Sequence, residues 1–147
     1  MLTSGLILLV EDNANDEALF FRALVKNQLA PRVEVTRDGA EAIDFLLAKG
    51  THHKRDPSEL PAVVFLDLNL PKIDGLGVLR AIRADVQLTD VPVVMLTTSA
   101  DDADRRACYT AGCNSYVQKP VAFKDFCEVV RLLVSYWLHT NQGAPPG

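Results

Sequence analysis

Positive charge is nowhere in surplus in this chain of 147 residues: 15 lysines and arginines stand against 19 acids, for a net charge of -4. That balance offers no basic surface for nucleic acid or for an anionic membrane. Long apolar runs are missing as well. The first, residues 6–10 (LILLV), stops at Glu11-Asp12, too short for a secretion signal or a membrane span. Cysteine is sparse and odd in number. Cys108, Cys113 and Cys127 have no metal-ligand spacing, and such a count suits a reducing cytosol. Neither of the glycine-rich phosphate loops, GxxxxGKS/T or GxGxxG, occurs, which disfavours a nucleotide. No internal repeat is visible. The chain is expected to be cytoplasmic, with no nucleic-acid or membrane partner.

What is present is a regular alternation. Fully apolar runs at 6–10, 62–66 and 91–97 predict strands buried on both faces. Shorter runs at 33–36 (VEVT) and 115–118 (SYVQ) predict two more. Helical spacing over 15–29, 39–50, 75–85, 102–112 and 123–139 predicts a helix after each strand. Five strand–helix units in strict order predict an α/β fold, a five-stranded parallel sheet doubly wound as (βα)5. Residues 1–140 are expected to form one domain with no output domain, and 141–147 a disordered tail. Residues 49–61 are expected to be a polar loop. His52-His53 find no third ligand there and are expected to be solvated. Cys108 and Cys113 are expected to be small packed residues, and Arg105-Arg106 a solvated face.

Ligands of such a sheet bind outside the carboxyl ends of its strands. Glu11-Asp12 end the first strand, Asp67 the third and Thr97-Thr98 the fourth, and Lys119-Pro120 follow the fifth. Three carboxylates, a hydroxyl and an ammonium are thus expected at one rim. Close acids repel unless a cation shares the site, and hard oxygen ligands suit Mg2+ (or Mn2+). A divalent cation beside a free carboxylate suits phosphoryl transfer onto that carboxylate. Asp67, on the central strand of the group, is the expected acceptor.

The stretches LLVEDN (8–13), VFLDLNLPKIDG (64–75), VVMLTTSA (93–100) and YVQKP (116–120) resemble the receiver domains of two-component response regulators, over roughly residues 5–138. The resemblance implies a flavodoxin-like strand order 2-1-3-4-5 and a phosphoryl group passed from a histidine kinase to Asp67. It implies Asp12 as a direct metal ligand, Glu11 acting through water, and the backbone carbonyl of Asn69 completing the set with Asp67. It implies Thr97 and Lys119 as phosphoryl-binding groups and Tyr116 as an aromatic that turns inward with Thr97. It implies a cis peptide bond between Lys119 and Pro120, a bond type in which cis is cheap. Asn69 and Ser99 fall where the family tunes dephosphorylation, and a short serine there suggests a long-lived phosphoryl group. The signalling is then a conformational switch and not turnover of an external substrate.

The last helix carries more apolar residues than one buried face needs. The excess predicts a homodimer through Cys127, Val130, Val134, Trp137 and Leu138. The long loop before the third strand and this helix resemble the regulators of bacterial phytochrome kinases. A chemotaxis-type regulator and a phosphorelay intermediate are the alternatives within the family. Outside it stands a phosphatase working through an aspartyl phosphate. That class wants a general-acid aspartate two residues after the nucleophile, where this chain has Asn69.

Overall fold

The computed structural model describes residues 5–146. The two most apolar runs are strands β1 (Leu6–Val10) and β3 (Val63–Leu66), every residue of them buried. With β2 (Arg32–Thr36), β4 (Val93–Thr97) and β5 (Ser115–Gln118) they form one parallel sheet in the order β2-β1-β3-β4-β5. Alternate side chains of each strand enter two cores. Leu6, Leu8, Val10, Val64, Leu66, Val93 and Met95 meet helices α2 (Gly39–Leu47), α3 (Gly75–Ala84) and α4 (Asp102–Ala111) on one face. Ile7, Leu9, Val63, Phe65, Val94 and Leu96 meet α1 (Ala14–Lys26) and α5 (Phe123–Ser135) on the other. Each fully buried aliphatic or Phe side chain stabilises this sandwich by about 1.5–3 kcal/mol. The predicted fold and strand order are those observed.

The ends of the elements differ from expectation where a local contact intervenes. Helix α1 stops at Lys26, not at residue 29. The side chain of Asn27 donates to the carbonyls of Ala23 and Cys127, both at 2.9 Å, and Gln28 turns left-handed at φ 56. Helix α5 ends as an α-helix at Ser135 and widens into a π turn, Tyr136–Thr140, with the amide of Asn141 donating to Tyr136 O at 2.6 Å. The tail is irregular, yet Asn141, Gly143 and Ala144 line a cavity of about 190 Å3 together with Leu60, Pro92 and Trp137. Gly147 lies outside the described residues.

The 49–61 loop is less solvated than its composition predicts. The ring of His52 meets Phe45 edge-on, and its Nε2 lies 3.1 Å from Glu41 Oε2. Arg55 stacks 3.8 Å above the Phe45 ring and donates to the carbonyls of Phe45 and Glu59. Both histidines have partners, His53 through Gly50 O at 3.0 Å.

Helix α5 corrects the predicted interface. Cys127, Val130 and Val134 are buried against the sheet and α1, so no second chain can reach them. Trp137 and Leu138 pack on the same core and are half-buried. The apolar side chains this helix leaves in solvent are Leu132 and Tyr136, each about half exposed, at 53% and 48%.

Candidate functional site

The parallel strands deliver their ends to one rim. Glu11 follows β1 and Asp67 follows β3, tied together where the amide of Asp67 donates to Val10 O at 3.3 Å. The amide of Glu11 donates to Thr36 O at the end of β2. Carboxylate oxygens of Glu11, Asp12 and Asp67 lie within 4.8 Å of one another. Asn13 caps α1 with its side-chain oxygen, accepting from the amides of Asn15 and Asp16, and so turns the helix start toward the same rim. The loop after β3 is held down by Gly75. A Cβ there would stand 2.1 Å from Asp67 O and 2.8 Å from Leu68 Cα, so only glycine allows the close approach.

Lys119 closes the site from β5. Its amide donates to Thr97 O at 2.6 Å, joining the ends of β4 and β5. Its Nζ lies 2.6 Å from Glu11 Oε1 and 3.5 Å from both Asp67 Oδ2 and Asp16 Oδ2. Burial alone draws an ammonium's pKa down. Here the hydrogen bond to Glu11 and the charges of Glu11, Asp67 and Asp16 together outweigh it, and Lys119 is held above its ordinary value. Burial pushes Glu11 upward, against the pull of Lys119, and the Asp67 charge adds to the rise. Three acids and one ammonium leave net negative charge in a site whose donors are all oxygen. That donor set fits Mg2+ or Mn2+.

The site opens into a cleft of about 530 Å3, lined by Asp12, Asn13, Asp16, Asp67 and Asn69 among others. The amide of Asn69 donates to Asp67 Oδ1 at 3.3 Å, which orients the acceptor carboxylate. Thr97 is fully buried, with its hydroxyl accepting from the amide of Ser99. Ser99 is tied elsewhere: its hydroxyl donates to Asp104 Oδ2 at 2.7 Å. Tyr116 packs on the core at partial exposure and donates from its hydroxyl to Ser99 O at 3.0 Å.

Two readings of the sequence change here. No peptide bond among the described residues is cis, and Lys119–Pro120 is trans. Trans is the lower-energy form of an X–Pro bond by about 0.5–1 kcal/mol, and the expected cis bond is not found here. Asp16 was not singled out as a site residue. An acid in a helix's first turn is ordinary, because it favours the positive end of the helix dipole. The one available signal was its place four positions after Asp12, at the start of α1.

Residues 7–131 match the family described as response regulator receiver domain. The chain is 41% identical over 141 residues to the probable methanogenesis regulatory protein FilR2 of Methanothrix harundinacea, covering 96% of this chain and 88% of that protein. It is 38% identical over 134 residues to response regulator Rcp1 of Synechocystis, covering 91% and 89%. The crystal structure of the Mn2+-bound form of Rcp1 aligns with a TM-score of 0.85 at 35% identity, over 96% of this chain and 99% of that one. The bacteriophytochrome response regulator AtBRR aligns with a TM-score of 0.75 at 43% identity, over 97% of each chain.

Proposed function

The chain belongs to the response regulator receiver family, and from that premise we propose that it is an aspartyl-phosphate switch whose acceptor is Asp67 and whose donor is the phosphohistidine of a kinase. The observation that carries this reading is the position of Lys119 Nζ, 3.5 Å from the Asp67 carboxylate and inside the ring of acids. An Asp67 oxygen attacks phosphorus, the P–N bond breaks, and the imidazole nitrogen leaves with the electron pair. Lys119 meets the incoming phosphoryl oxygens as a point charge, and the Thr97 hydroxyl donates to another. Glu11, Asp12, Asp67 and the backbone carbonyl of Asn69 would hold a divalent cation, Mg2+ or Mn2+, which neutralises charge on the transferring group. The new dianion draws Thr97 toward it and stabilises the inward Tyr116, biasing a two-state equilibrium of the α4–β5 surface.

Ser99 supports slow loss of the phosphoryl group, because its hydroxyl is committed to Asp104 and does not orient a water at Asp67. We assign the chain to a phytochrome-linked pathway on its likeness to AtBRR. FilR2, described as a methanogenesis regulatory protein, shows that the likeness extends to another setting. Phosphotransfer from a purified bacteriophytochrome kinase tests the assignment; preference for a non-phytochrome kinase contradicts it. A homodimer built on Leu132 and Tyr136 is the output this surface favours. Among the described residues no helix is long and apolar enough to cross a membrane, which accords with a cytoplasmic switch.

The primary test uses phosphoramidate and Mg2+ with intact mass as the readout. One phosphoryl group is expected on the wild type and none on Asp67→Asn. Turnover of an external phosphate ester without protein labelling would favour a phosphatase instead.

A further inference from the structure

Asp16 stands outside the acid set implied by the family resemblance, yet it shares Lys119 with it. Its Oδ2 and that of Asp67 are each 3.5 Å from the same ammonium. The two carboxylates are therefore no further apart than twice that distance. The Asp16 side chain is about one-third exposed, at 36%, whereas Glu11 is almost wholly enclosed, at 4%. It lines the open cleft above Asp67 and also the neighbouring pocket of about 220 Å3 that holds Lys119, Thr98 and Phe20. A phosphoryl donor entering the cleft thus meets the partly exposed Asp16 carboxylate, only partly neutralised by the ammonium that Glu11 and Asp67 share. Asp16 also competes with the incoming oxygens for the Lys119 ammonium.

We propose that Asp16 is a specificity-determining residue for the phosphoryl donor, discriminating against donors by their negative charge. This rests on the reading of Asp67 as acceptor. An acyl phosphate arrives as a dianion. Attack by Asp67 breaks its P–O bond, and the carboxylate leaves with the electron pair. A phosphoramidate carries a protonated nitrogen and one negative charge fewer. Its P–N bond breaks and neutral amine leaves. Phosphohistidine is of the second kind when its other ring nitrogen is protonated, so that a neutral imidazole leaves. The Asp16 carboxylate therefore favours a nitrogen-linked donor over free metabolic acyl phosphates. At a separation of this order the penalty is on the order of five- to tenfold per extra charge, and salt weakens it.

The test measures labelling rates by intact mass at saturating Mg2+, with acetyl phosphate and with phosphoramidate, for wild type, Asp16→Asn and Asp16→Glu. Asp16→Asn is expected to speed labelling by acetyl phosphate several-fold and by phosphoramidate much less. The gain is expected to shrink as salt is raised, while Asp16→Glu keeps the wild-type preference. A helical signal unchanged by circular dichroism confirms that the variants are folded. Equal change with both donors, a gain indifferent to salt, or slower labelling by acetyl phosphate each overturns the proposal. Failure of phosphoramidate to label wild type at all overturns the acceptor reading itself, so the two failures are distinguishable.

Discussion

Lys119 bridges Glu11, Asp16 and Asp67 with one ammonium, and this sharing sets what each partner does. A divalent cation must compete with it for Glu11 and Asp67. Replacing Lys119 by Met is therefore expected to tighten Mn2+ binding on the order of tenfold, read by titration calorimetry; unchanged affinity would mean the lysine does not neutralise the acids. Ser99 gives a second expectation. With its hydroxyl held by Asp104, the phosphoryl group should outlast that of a Ser99→Asn variant, whose amide can orient water; decay of the wild type within seconds contradicts this. Glu11, Asp12, Asp67 and Lys119 were legible as a set because each follows a predicted strand, and parallel strands bring such positions to one rim. Asp16 was not, because its partner lies 103 positions away along the chain and no local pattern joins them. The bond before Pro120 was expected to be cis on resemblance alone, and it is trans.

Helix α5 and the loop after β3 show how packing decides a segment's role. The stripe of Cys127, Val130 and Val134 looked surplus to one face, but α5 lies against both the sheet and α1. A helix in that corner needs a wider apolar stripe than one resting on a sheet alone. Its sequence could not separate the two, whereas burial does. Phe20→Ala in the same layer should cost about 3–5 kcal/mol, since Phe20 is 2% exposed and packs on Phe65. Leu132→Ala should stay within about 0.5 kcal/mol. Urea unfolding separates them, and a large loss at Leu132 in a monomer would contradict the packing described. Leu132→Asp should instead shift sedimentation toward monomer. Gly75→Ala should cost about 1–3 kcal/mol and slow labelling of Asp67, because the added carbon meets the backbone that carries the acceptor. The helices were readable from their apolar spacing, and the caps Asn13, Asp38, Asp74 and Asp101 fix their starts. The 49–61 loop was not, because its order comes from Arg55 and His52 reaching Phe45.

Taken together, two buried groups tie the stability of the fold to alkaline pH. Burial pushes the Cys113 thiol up to about 11 from its ordinary 9.0, and Lys119 lies above its ordinary 10.5. Both give up a proton more readily in the unfolded chain. The Cys113 contribution is fully present below pH 9 and is lost as pH rises toward 11, whereas that of Lys119 is fully present below pH 10.5 and is lost above it. Urea midpoints should fall between pH 8 and pH 10, and Cys113→Ala should flatten that slope; a rise with pH would contradict the burial of Cys113. The fold itself was the most legible level, because continuous apolar strands and alternating helices admit few parallel arrangements. The role of the α5 surface was the least, since exposed and core-facing apolar residues share one helix. The switch, which joins both, is tested most directly by incubating the protein with phosphoramidate and Mg2+ and weighing it intact. A gain of one phosphoryl group, absent in Asp67→Asn, is the result predicted. Labelling that persists in Asp67→Asn, or none in the wild type, would contradict the role of Asp67.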